Sequence, residues 1–170
     1  MNTISSEKTV LRRANADDSS QLYSIIREVF EYYKLELNAR EKVPDILDIP
    51  SYYSNGHQAL YVASNNGTCL GCAAIEIGNS STSALLKRVY IAPKYWNEGL
   101  DSRLINHAMN EARQKNVNYI DIWTDTRFER AHSFYEELGF VYTGRVRPLF
   151  DSNKSFEYQY RYHFGQNGQN

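Results

Sequence analysis

Leu86-Lys-Arg-Val-Tyr-Ile-Ala-Pro-Lys-Tyr-Trp-Asn-Glu-Gly-Leu-Asp-Ser-Arg-Leu104 is the stretch on which the reading of this chain turns. Its first third reads as a strand that stops at Pro93. Beyond it, Leu100, Leu104, Ile105, Ala108, Met109 and Ala112 keep the spacing of a helix with one buried face. A strand therefore feeds a polar loop that opens a helix. The first N–H groups of a helix have no partners within it, and its dipole is positive at that end, so such a loop suits a pyrophosphate. Gly99 lets the backbone approach a ligand closely.

Upstream, Thr9–Arg12 is a short strand, and Leu22, Ile25, Ile26, Val29, Phe30 and Tyr33 mark a helix capped by Asp17 or Asp18, with Gln21 answering in a capping box. Residues 34–59 read as a mobile loop holding one short helix that starts at Pro44 and is closed by Pro50. Ala59–Ala63 and Thr68–Ile77 form a hairpin about Asn65-Asn66-Gly67, and Ala84–Ala92 adds a third antiparallel strand. Downstream, Val117–Trp123 follows the crossover helix and should pair in parallel with residues 85–91. Glu129–Leu138 is a last helix, stopped at Gly139. Phe140–Thr143 and the alternating Phe156–Phe164 are closing strands. The order implies an α/β fold, mostly antiparallel with one parallel step and flanked by helices, as one domain over 1–164 with a disordered tail over 165–170.

Nineteen Lys and Arg against twenty Asp and Glu leave a net charge of −1, which disfavours nucleic acid and anionic membranes as partners. No apolar run is long enough for a membrane span or a signal core, so the expectation is a soluble cytoplasmic protein. The two cysteines, Cys69 and Cys72, have no second ligand pair at metal spacing among the four histidines, so no metal is expected. Period-two alternation would set them on opposite faces of a strand. Fourteen tyrosines suit half-exposed strands and pocket walls. The tyrosine-rich final strand is a candidate dimer edge. Glu28, Glu31, Asp45 and Asp48, with Tyr32, Tyr33, Tyr52 and Tyr53, are a candidate lining for a cationic acceptor, or else a solvated helix face.

Two segments carry a family resemblance. Leu86–Leu104 resembles the acyl-CoA-binding motif of the GNAT superfamily of N-acetyltransferases, and Ala131-His-Ser-Phe-Tyr-Glu-Glu-Leu-Gly-Phe140 resembles its second motif. The resemblance implies an acetyl-CoA site formed by Val89, Tyr90 and Ile91 on the strand and by Trp96, Asn97, Glu98, Gly99, Leu100, Asp101 and Ser102 in the loop. It also implies that Tyr135 protonates the departing thiolate, although Ala131, Phe134, Tyr135 and Leu138 equally form a plain apolar stripe. The chain departs from the family pattern at five places, the mildest being Asn97 where another glycine is common, since Asn tolerates left-handed backbone. Trp96 replaces Arg or Gln, Asp101 replaces Gly or Ala, Leu85 stands where many relatives carry a basic Glu, and Phe128 stands where an Asn often touches CoA.

With Leu85 unable to accept a proton, Asp125 is the candidate general base, with Asp121 and Glu76 behind it. Asp125 and Arg127 could orient a polar substrate beyond the strand end, or Asp125 could serve a local turn that caps the next helix. Asp101 is either a helix-capping acid or a charge set against the pyrophosphate, worth about 3 kcal/mol near 5 Å at an effective dielectric of about 20. The latter predicts weak acetyl-CoA binding that improves in Asp101→Gly. The function implied is acetyl transfer from acetyl-CoA to a primary amine of a small molecule or protein. The rival is a GNAT-fold binding module that has lost catalysis, motivated by Asp101, Trp96 and Leu85 together.

Overall fold

The computed structural model describes residues 9–80 and 82–165. Seven strands form one sheet: β1 (Val10–Arg13), β2 (Gln58–Asn65), β3 (Thr68–Ile77), β4 (Ser83–Ile91), β5 (Tyr119–Asp125), β6 (Val141–Pro148) and β7 (Phe156–His163). Their order is β1-β2-β3-β4-β5-β7-β6. Only β4 and β5 run parallel, Ser83–Leu86 beside Tyr119–Ile122, and every other pair is antiparallel. The expected fold class and parallel step are therefore present, but the parallel ladder stops at Leu86–Ile122 instead of running to Ile91. The strands part beyond that point. The tail expected to be disordered falls mostly outside the described residues, at 166–170.

Helices cover both faces. α5 (Leu100–Gln114) packs Leu104, Ile105, Ala108 and Ala112, all fully buried, with Leu86 and Ile120 of the sheet and with α6 (Glu129–Glu137). At such positions Leu→Ala costs about 2–5 kcal/mol. The other face carries α1 (Ser19–Tyr32), whose Leu22, Ile25, Ile26 and Phe30 share a cluster with Ile46 and Ile49. Those two belong to short helices that succeed one another across the expected loop: α2 (Ala39–Lys42), α3 (Pro44–Leu47) and α4 (Ile49–Tyr53). One helix was expected there. Pro44 and Pro50 each sit in a first turn, so Pro50 opens a further helix instead of closing one.

Other expectations are corrected in detail. The start of α1 is not capped by Asp17, Asp18 and Gln21. Asn15 and Asp18 form the capping box around a preceding 3-10 turn, and Gln21 instead bonds the β2–β3 hairpin at Gly67 O and Cys69 N. Cys69 and Cys72 do not face opposite sides, because the register shifts at Ser64–Cys69, leaving Leu70 as an extra residue, and both thiols lie in the same core cluster. Burial pushes both up to about 12, so they are inert packing groups. At the β7 side of the sheet the edge strand is β6, exposed along its length, while tyrosine-rich β7 is paired on both sides.

Candidate active site

The fork between β4 and β5 is the centre of a cavity of about 390 Å³, lined by Lys87–Ile91 on one side and Ile122–Asp125 on the other. A β-bulge lies beside it. Two residues of β4, Arg88 and Val89, stand opposite one of β3, Ala73, and Arg88 has φ 57°. The bulge begins just past the last β4–β5 pair, Leu86–Ile122, and beyond that pair β4 has no ladder with β5.

One end of the cavity is the loop before α5. Asn97 and Gly99 both take left-handed backbone, φ 70° and 73°, which suits their residue types, and a Cβ at Gly99 would meet nothing within 4 Å. No side chain caps α5 from its N-cap position. Ser102 N donates to Asp101 Oδ1 at 3.0 Å, so the acid occupies one donor of the first turn. Its other oxygen lies 3.7 Å from Arg130 Nη1. Arg130 also donates to Asn97 Oδ1 at 3.0 Å and lies 5.1 Å over the Trp96 ring. Trp96 in turn donates from Nε1 to Ile91 O. Trp96 is thus a post that ties the loop to the end of β4 and supports an arginine from α6.

Tyr135 lies where the strands part. It lines the cavity while only 4% exposed, so it both packs in the core, as the apolar stripe implies, and borders the cleft. Burial, then the charges of Tyr90 and Asp101, raise its phenol above the usual range. The group remains an O–H donor through neutral pH.

Beside this loop the cavity wall gathers Phe30, Tyr33 and Phe128, with ring centroids 6.5 Å apart for Tyr33 and Trp96 and 4.5 Å apart for Tyr33 and Phe128. Phe128 therefore extends an aromatic wall. Opposite it stand Asp125 on β5 and Glu157, its cross-strand partner on β7. Like charges so placed repel. Each is answered by an arginine: Arg127 Nε and Nη2 reach Asp125 at 2.8 and 2.7 Å, and Arg147 reaches Glu157. Asp125 also accepts from Arg127 N, the local turn that the sequence offered as its alternative role, but no side chain caps α6. Lys42 pairs with Asp151, both bordering the cavity, and with Ser155 holds that carboxyl down at about 2 against the upward push of burial.

Of the predicted site residues, Val89, Tyr90, Ile91, Trp96, Asp101, Asp125 and Tyr135 border one cavity. Asn97, Glu98, Gly99, Leu100 and Ser102 do not border it, Leu100 being packed in the core, and Glu76 and Asp121 border a separate small hollow beside Leu85, where Glu76 is paired with Lys87 and Asp121 with Arg161. The acidic and tyrosine set around the first helices is also dispersed. Tyr32 and Tyr52 are exposed, Asp48 caps α4, Tyr53 bonds Asp45, and only Tyr33 borders the cavity. Sequence reasoning missed Arg130 and Glu157. Arg130 precedes the second motif, and Glu157 lies within the alternating β7.

A mixed sheet with one parallel step, forked beside an uncapped helix start and with a phenol at the fork, has the architecture of an N-acetyltransferase. A model of the acetyltransferase (GNAT) family matches residues 20–140, so the chain belongs to that family and is an acetyltransferase. It is 28% identical over 144 residues to the uncharacterized N-acetyltransferase YjgM of Escherichia coli (strain K12), covering 82% of this chain and 86% of that protein. The crystal structure of an acetyltransferase from Streptococcus agalactiae superposes with TM-score 0.79 at 25% identity, covering 93% of this chain and 99% of the other. An acetyltransferase structure from Bacillus anthracis, in complex with acetyl coenzyme A, matches at TM-score 0.59 and 24% identity, covering 67% of this chain and 66% of that one. Among the described residues no helix is long and apolar enough to cross a membrane.

Proposed function

We propose that the protein transfers an acetyl group from acetyl-CoA directly to a primary amine, on a small molecule or a protein. The observation that carries this reading is Tyr135 at the fork, at the junction between an anion-binding helix start and an acid-lined pocket. The cavity suits the donor in three respects: a helix start without a side-chain cap, an open approach over Gly99, and a stretch of β4 freed from β5. Acetyl-CoA would supply an activated thioester.

Amides from Asn97 to Ser102 would hold the pyrophosphate, with Arg130 adding a cation beside them. Main-chain groups of Val89–Ile91 would pair with the extended arm. Asp125 and Glu157 would draw in the acceptor as an ammonium ion, and Asp125 would take its proton on Oδ2, which accepts only from Arg127 Nη2 and keeps a lone pair, whereas Oδ1 already accepts from Arg127 N and Nε. Tyr135 would donate its hydroxyl proton toward the departing sulfur.

Arg130 is what weighs against the non-catalytic rival. It pairs with the acid that would otherwise repel pyrophosphate, and it stacks on the tryptophan that replaces a polar family residue. Calorimetric titration with acetyl-CoA, followed by thiol release against a panel of amines and amino-terminal peptides, tests the reading. Saturable binding with amine-dependent thiol release is expected, and absence of acetyl-CoA binding by the native chain overturns it.

A further inference from the structure

Arg88 is held at φ 57° inside a strand, a conformation that residues other than Gly, Asn and Asp seldom keep, and three elements hold it there. Its Nε and Nη2 close on both oxygens of Asp45 of α3 at 2.8–3.1 Å. The Tyr53 hydroxyl of α4 donates to the same carboxylate, and Cys72 Sγ of β3 donates to Arg88 O at 3.2 Å. Asp45 is 3% exposed and does not border the cavity, so any effect it has on the cleft passes through Arg88. The bulge at Arg88 begins two residues after the last β4–β5 pair, Leu86–Ile122. An arginine released from Asp45 would relax toward extended backbone. The bulge would then flatten with the β3 register on either side kept, and β4 could continue pairing with β5, narrowing the fork.

We infer that Asp45 is a positioning residue: by clamping Arg88 in left-handed backbone it keeps β4 bulged and the β4–β5 cleft open. The consequence for acetyl-CoA rests on the function proposed above. Asp45 lies just beyond Glu41, Lys42 and Val43, which border the cavity, so one short segment supplies both part of the cavity wall and the partner of Arg88 at the bulge.

Asp45→Asn removes the charge that holds the clamp. It is expected to raise KM for acetyl-CoA by about tenfold or more while kcat changes by less than about threefold. Glycine keeps left-handed backbone unaided, whereas alanine does not. Asp45→Asn with Arg88→Gly should therefore regain most of the lost affinity, and Asp45→Asn with Arg88→Ala should not. Equal KM for the native chain and Asp45→Asn, or equal behaviour of the two double variants, overturns the inference. Crystal structures of native and Asp45→Asn protein without ligand decide it separately. Residue 88 should lose its positive φ and the β4–β5 ladder should lengthen past Leu86–Ile122, and an unchanged bulge overturns the clamp. Were the native chain not to bind acetyl-CoA, the functional reading would fail, and this structural comparison would still decide the clamp.

Discussion

Two arginine–carboxylate pairs flank one cleft and differ in geometry and burial. At the start of α5, Arg130 Nη1 stands 3.7 Å from Asp101 Oδ2, with the two side chains 33% and 13% exposed. At the β4 bulge, Arg88 grips both oxygens of Asp45, with the two side chains 23% and 4% exposed. Burial alone would raise the Asp45 carboxyl, but the bonds and charge of Arg88 outweigh it and leave it below the usual range, while the same partnership raises Arg88. The loose pair keeps solvent access and can turn toward a phosphate, whereas the tight pair is part of the scaffold.

Both pairs matter only if chemistry happens between them, so the largest effect belongs to Tyr135. Tyr135→Phe should lower kcat about 10²–10⁴-fold with little change in KM for acetyl-CoA. Steady-state kinetics on a confirmed amine reads this, and undiminished turnover removes the acid role. Because its phenol is raised above the usual range of about 10, the native enzyme should show no alkaline loss from this group below about pH 10.

Breaking the tight pair comes next. Asp45→Ala leaves Arg88 buried without its partner and should cost about 3–5 kcal/mol in urea unfolding, whereas Arg130→Ala should cost less than about 1 kcal/mol. Comparable losses would erase the distinction drawn between them. The pH dependence sharpens it. Asp45 has a folded pKa below its unfolded value of about 3.9, so its contribution is complete above that value and is lost as pH falls through the folded pKa. Acid unfolding of the native chain should release this contribution, and Asp45→Asn should lack that share of the acid dependence.

Smaller effects separate charge from capping at the loose pair. Arg130→Ala should weaken acetyl-CoA binding about tenfold, and Asp101→Asn in that background should recover part of it. The smallest change is expected for Asp101→Gly alone. With Arg130 present the gain should be only about threefold by calorimetry, shrinking further with added salt, and growing when Arg130 is absent. An equal gain in both backgrounds would mean that Arg130 does not offset the acid.

Periodicity made the hairpin, α1, α5 and the crossover readable, because the face that a residue presents within a regular element follows from its own backbone geometry. The same rule failed for Cys69 and Cys72. One inserted residue, Leu70, shifts the alternation, and a bulge leaves no periodic signature in sequence. Tyr135 was legible because its motif is local. Arg130 was passed over because its role needs Asp101 and Asn97 brought to it from another element.

The sequence by itself determined the order of elements, the single parallel step, the loop that opens α5 and the tyrosine at the fork, all of which follow from short-range pattern and local motif. Only the tertiary structure decided that Asp101 meets a cation, that Glu76 and Asp121 stand apart from the cleft, and that Arg88 meets Asp45 at the bulge beside the parted strands. The physical reason is that charge compensation and backbone strain depend on partners distant in sequence, 29 positions apart for Asp101 and Arg130 (130 − 101) and 43 for Asp45 and Arg88, and those partners meet only after the core has packed.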